Sequence, residues 1–194
     1  MKTLNVVLAA GALAISAGAV NAATVYPTEV LDANYGTCTE VAWRCAANNR
    51  LNTANAVDND PTTFYSLGLG GDLTVGFGET ILPTKGVTVT EVTFGRVPAN
   101  GHLEAVDVYA VLGDAESFLG TLYNFGSGTL IAKTAFNALK LVDVTVREFG
   151  DTTISSDGFD VGQIAVAPIP LPAAGLMLLG GLGGFAAIRR RKAA

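Results

Sequence analysis

Val106-Asp107-Val108-Tyr109-Ala110-Val111 alternates apolar side chains with polar or amphipathic ones at a period of two. That is the spacing of a strand with one face buried. Leu139-Lys140-Leu141-Val142-Asp143-Val144-Thr145-Val146 repeats the pattern, and residues 87–94 interleave valines with threonines. Residues 73–77, 118–123 and 159–166 are shorter runs of the same kind. Clusters of Gly, Asn and Asp at 70–72, 99–101, 113–114, 124–128 and 150–158 separate them. Short strands punctuated by turn residues predict an all-β sandwich or barrel. Between the two ends of the chain no amphipathic helix of ten residues and no repeat of fixed period is visible.

Both ends have a different character. Lys2, an uncharged run over 4–20 and then Val20-Asn21-Ala22 have the three-part anatomy of a secretory signal helix. Signal peptidase is expected to cut between Ala22 and Ala23. At the other end Ile169-Pro170-Leu171-Pro172-Ala173 precedes an uncharged stretch to residue 188, then Arg189-Arg190-Arg191-Lys192. As a helix, residues 173–188 would span roughly 24 Å, short against a hydrocarbon core of about 30 Å, though a locally thinned bilayer holds it. The basic cluster acts as a stop signal on the cytoplasmic side, leaving the domain outside. The prolines halt the helix before the apolar run and leave an extended strip for a protease.

This order of parts resembles the PEP-CTERM group of sorting tails, in the variant whose signature reads Val-Pro-Leu-Pro-Ala, with Ile169 in place of the valine. The resemblance implies a membrane enzyme of the exosortase type as partner, often in bacteria that make exopolysaccharide. The chain therefore divides into a signal peptide (1–22), an exported domain (23–167) and a sorting signal (168–194) whose transmembrane helix anchors the protein until processing.

The exported domain holds seven Lys/Arg against all 17 Asp/Glu, a net charge of −10. Phosphate backbones are bound by concentrated Lys/Arg, so a nucleic-acid partner is excluded. Cys38 and Cys45 are the only cysteines, and in an oxidising compartment an even count predicts a disulfide. A structural zinc site takes four ligands, and His102 is the only histidine.

Ala56-Val57-Asp58-Asn59-Asp60-Pro61-Thr62-Thr63-Phe64-Tyr65-Ser66 is similar to the Ala-x-Asp-Gly-Asp-x-x-Thr-x-Trp-x-Ser motif of galactose-binding-like, discoidin-type jelly rolls. Asn59 stands for the usual Gly and Tyr65 for Trp. Gly71 to Gly78 resembles the strand that follows this motif, and Gly158-Phe159-Asp160-Val161-Gly162-Gln163-Ile164 resembles a closing strand. The resemblance implies a jelly-roll β-sandwich over about residues 50–166 and, in some relatives, sugar binding or a structural calcium.

Candidate chemistry is sparse. His102 follows Ala99-Asn100-Gly101 and reads as a loop residue, and no Gly-x-Ser-x-Gly elbow is present. No pair among the 17 carboxylates is marked out for glycoside hydrolysis. Gly68-Leu69-Gly70-Gly71 lacks the Lys-Ser/Thr ending of a phosphate loop and reads as a turn. Asp58, Asp60 and Thr62 alternate like the opening of a calcium loop, but Thr63 and Leu69 stand where an EF-hand requires Gly and Glu. Either a structural calcium or an Asx turn bent at Pro61 satisfies them. Trp43, Tyr26, Tyr35 and Tyr65 read as core aromatics or as a sugar-stacking platform. The sequence thus favours a non-enzymatic protein of the cell envelope, surface or extracellular matrix that associates with extracellular polysaccharide. A carbohydrate-binding lectin module and a secreted polysaccharide hydrolase are the alternatives.

Overall fold

The computed structural model describes residues 23–83, 85–92, 100–126 and 128–168. The stretches read as a signal helix and as a sorting tail with a transmembrane helix lie outside them. Among the described residues no helix is long and apolar enough to cross a membrane.

Nine strands are described: β1 (Glu29–Asn34), β2 (Tyr65–Ser66), β3 (Asp72–Ile81), β4 (Lys85–Glu91), β5 (Ala105–Leu112), β6 (Ala115–Tyr123), β7 (Leu130–Ala132), β8 (Phe136–Asp143) and β9 (Asp160–Pro168). They form two antiparallel sheets, ordered β1-β3-β8-β5-β6 and β2-β9-β4-β7. Their inner faces make one core, as the period-two pattern predicts for a β-sandwich. Leu73, Val75 and Phe77 of β3, Val106 and Val108 of β5, and Leu139 and Leu141 of β8 pack against Val87, Val161, Ile164 and Val166 of the smaller sheet. Phe77 and Phe136 meet edge-on at 5.8 Å. Fully burying each such side chain stabilises the fold by about 1.5–3 kcal/mol.

Several boundaries differ from the sequence reading. The run read as a strand over 139–146 ends at Asp143, and Thr145–Phe149 turns into a short helix, α2. The apolar alternation continues past the true end because Val144 and Thr145 are buried against the loops. β3 runs on to Ile81 and β6 starts at Ala115, while positions 93–94 of the run read over 87–94 lie outside the described residues. The edge strands β1, β2 and β7 carry little alternation and were not legible.

The sandwich has two poles. The β1, β5 and β8 ends meet at one of them, where Asn34 pairs with Asp72 and Val106 with Asp143. At the other, Ile81 pairs with Phe136, and Lys85 with Pro168. Val25 is bridged to Val166, so both ends of the described domain leave at this second pole. The first pole is made of the segments between strands, residues 35–64, 67–71, 100–104 and 144–159. Within it Cys38 and Cys45 form the expected disulfide, Cα to Cα 6.0 Å, across the short helix α1 (Ala42–Cys45).

Candidate functional site

The loop pole is knitted by backbone bonds between segments far apart in sequence. Thr37 and Leu69 exchange both of their backbone hydrogen bonds, Gly36 N donates to Leu67 O, and Thr39 N donates to Ser156 O at 2.9 Å. This close approach needs glycine. A Cβ on Gly36 would meet Leu69 O at 2.4 Å, and Gly68 adopts φ +74. The 68–71 stretch is therefore the turn that its sequence indicates.

Asp143 ties the same loops from beneath. It is 3 % exposed. Its Oδ1 accepts from Gly70 N (2.9 Å) and Thr145 N (3.3 Å), and its Oδ2 from the Thr145 hydroxyl (2.7 Å) and Phe159 N (2.9 Å). Burial raises its pKa, and these four donors act in the opposite sense. On the flank of the pole, Asp107 is likewise buried, which raises its pKa, but hydrogen bonds from Arg147 and Thr121 win and hold it below the usual range.

Between the disulfide loop and Ser156 lies a cleft of about 310 Å³ lined by Glu40, Arg44, Asn48, Arg50 and Ser156, with Cys38 and Ala47. Small-molecule sites occupy roughly 300–1,000 Å³. Trp43 is not among the lining residues; it is 69 % exposed, with the guanidinium of Arg44, which lines the cleft, 5.2 Å from its ring centroid. Arg44 pairs with Glu40 at 3.2 Å. Arg50 is nearly buried, pairs with Asp157, and donates Nε–H to Ala47 O at 3.1 Å. Asn48 and Asn49 both take the left-handed conformation, φ 58.

The aromatic residues divide. Tyr65 is core at 2 % exposure, Tyr35 is 37 % exposed, and Trp43 is not a core residue. Its helix has only four residues and buries Cys45 alone, leaving the indole outside. His102 is in the loop before β5, as expected, but is buried, with Nε2 2.9 Å from Glu104 Oε1.

Asp58, Asp60 and Thr62 share one exposed loop. Asp60 N donates to Asp58 Oδ1 (2.9 Å), the Thr63 hydroxyl to Asp58 Oδ2 (2.8 Å), and Thr62 N and its hydroxyl to Asp60 Oδ1 (2.8 and 2.6 Å). The two Thr62 donors hold Asp60 below its usual pKa. Gln163 clamps the loop to β9 through Asn59. The loop is closed by its own donors in the manner of Asx turns. Among the described residues no three His, Cys, Asp or Glu side chains gather as a metal would require.

No protein-family model matches the sequence, and no curated protein does. The chain is similar to the C-terminal domain of a chitobiase from Bacteroides fragilis, with 12 % identity and TM-score 0.49 over 77 % of this chain and 100 % of that one. It is similar to a family 32 carbohydrate-binding module of a family 31 glycoside hydrolase from Clostridium perfringens, with 15 % identity and TM-score 0.46 over 73 % and 90 %. A third similar structure is the family 32 module of C. perfringens NanJ in complex with galactose, with 16 % identity and TM-score 0.41 over 59 % and 82 %.

Proposed function

We propose that the exported domain is a non-catalytic glycan-binding module with a jelly-roll fold, and that its cleft takes a neutral sugar of an extracellular polysaccharide. The observation that carries this reading is a cleft rimmed by paired charges, with the exposed Trp43, itself outside the lining, held against Arg44 of that rim. An indole face packs against the C–H face of a pyranose. Glu40, Arg44 and Asn48 supply acceptors and donors for its hydroxyls. Both arginines are already balanced, Arg44 by Glu40 and Arg50 by Asp157. A charged ligand would have to compete with one of those pairs, whereas a hydroxyl joins it without uncompensated charge. Binding is favoured over hydrolysis because Glu40 is the single carboxylate among the lining residues, and glycoside hydrolysis uses two. Calcium at Asp58, Asp60 and Thr62 enters only as a structural ion that would exchange with the Thr62 and Thr63 donors, since none of the three lines the cleft. A glycan array probed with the exported protein and with Trp43→Ala tests the reading. Wild-type binding to neutral glycans, lost in the variant, is expected; an empty array contradicts it.

Export and sorting belong to the same proposal. With Val25 and the end of β9 at the pole opposite the cleft, a tail held at a membrane would present the cleft outward. The exported protein is expected to begin at Ala23 and to lack the tail of residues 173–194. Intact mass measurement checks this, and a mass that includes residues 173–194 would leave only an uncut anchor.

A further inference from the structure

The pole opposite the cleft has a composition of its own. Of the described lysines and arginines, Arg44, Arg50, Lys140 and Arg147 each pair with a carboxylate. Lys85 and Lys133 form no ion pair among the described residues, and both stand at this second pole. Lys85 opens β4, in register with Ala132 on one side and Pro168 on the other, and Lys133 follows Ala132. Around them are three exposed apolar side chains. Leu82, in the β3–β4 turn, is 66 % exposed, Ile131, opposite Gly86, is 50 % and Leu112, at the end of β5, is 43 %. Asp114 is the one acid in the described turns of this pole.

The length of chain beyond the domain limits how far this pole can stand from a membrane. β9 ends at Pro168, and the uncharged stretch read as a transmembrane helix begins at Ala173. Five residues reach at most roughly 18 Å when fully extended. A tail seated in a bilayer therefore holds the second pole within that distance of the lipid. The domain as a whole carries −10, which an anionic surface repels, but screening decides which charges count. At physiological salt the Debye length is about 8 Å. The acids of the loop pole lie a strand length away, roughly 26 Å for the eight residues of β5 at ~3.3 Å each. Headgroups would meet the near pole alone, with its two unpaired ammonium groups and its projecting leucine and isoleucine side chains.

We propose that the second pole is a membrane-contacting face for a bilayer that displays anionic headgroups. Leu82 and Ile131 enter the boundary between headgroups and acyl chains, where exposed apolar side chains leave water. Lys85 and Lys133 pair with lipid phosphates. The contact holds the strip at 169–173 at the bilayer surface, within reach of a membrane-embedded processing enzyme, and turns the cleft outward. The assignment rests on the sorting reading of the tail, which alone brings lipid this close. Each lysine near an anionic surface strengthens attachment about fivefold. Two such factors orient a tail-anchored domain without retaining one whose tail has been cut.

Fluorescence of the uncut exported chain, residues 23–194, in vesicles of phosphatidylglycerol and phosphatidylethanolamine tests the face, with brominated acyl chains as quencher. Trp43, the only tryptophan, is at the far pole and should keep its emission. Leu82→Trp in a Trp43→Phe background should be strongly quenched, and Ile131→Trp serves if that variant does not fold. Adding Lys85→Gln with Lys133→Gln should lower the ratio of seated to free domains about 25-fold, two factors of five, and relieve the quenching. Phosphatidylcholine vesicles should relieve it as well. A chain that alkaline carbonate strips from the vesicles overturns the sorting reading and this face with it. A chain that stays embedded while both new tryptophans go unquenched overturns the face alone, whether solvent or a second copy covers the pole. Quenching that is unchanged by the loss of both lysines, or equal in phosphatidylcholine, would also overturn it.

Discussion

Asp143→Ala is expected to destabilise the domain by about 3–5 kcal/mol, a large share of the roughly 5–15 kcal/mol that holds a domain folded. The side chain buries little apolar area, so the loss comes from what it leaves behind. Gly70 N, Thr145 N and Phe159 N all point at the carboxylate from three different segments. Each buried donor without a partner costs about 1–3 kcal/mol. Asp143→Asn should recover part of this, because the amide oxygen still accepts from one pair of donors. Its NH₂ group would face donors on the other side, so recovery is incomplete. Urea unfolding at neutral pH measures both variants, and a loss under about 1 kcal/mol for Asp143→Ala would mean that the loops hold without their common acceptor.

Arg50→Ala should cost a similar amount by a different route. Asp157 is 4 % exposed at its side chain, and the same neighbourhood contains Asp160 and Glu104. Removing one partner of a buried pair costs about 3–5 kcal/mol, chiefly because the other charge is stranded. The Ala47 carbonyl would also lose its Nε–H donor, and the guanidinium its place 5.6 Å from the Phe64 ring centroid. Arg50→Lys should be intermediate, since an ammonium cannot bridge Asp157 and Ala47 with one planar fork. The double variant Arg50→Met with Asp157→Asn should regain most of the stability, because no charge is left alone. If the double variant is as unstable as Arg50→Ala, stranded charge is not the cause and packing of the stem is.

The strands were legible where one face is buried along their whole length. β5 and β8 bury Val106, Val108, Leu139 and Leu141 at a spacing of two, and this is why their sequences read as strands. β1 was invisible because it is an edge strand with a register shift between Val30 and Asp32, so that Leu31 is left 54 % exposed. The strand read over 139–146 overran its end by three residues because Asp143, a polar residue in an apolar run, is itself the buried acceptor where the chain turns. The cleft could not be read at all. Its residues come from 38–50 and from 156, and the Thr37–Leu69 and Thr39–Ser156 bonds that join them are made by backbone. Nor does an acidic composition distinguish solvated carboxylates from Glu104, which is fully buried. The Cys38–Cys45 pairing was legible because the chain has two cysteines, which leaves one partner for each sulfur.

The glycan-binding claim meets its most direct test in titration calorimetry of the exported protein with neutral and acidic oligosaccharides, run alongside Trp43→Ala. Trp43 is exposed and buries little, so the variant should melt with wild type, within about 0.5 kcal/mol of its stability. Truncating an aromatic anchor at a binding site costs about 2 kcal/mol or more. Saturable binding of a neutral sugar is expected, weakened at least tenfold in Trp43→Ala. Equal affinity in both proteins, or binding of none of the saccharides, would contradict it.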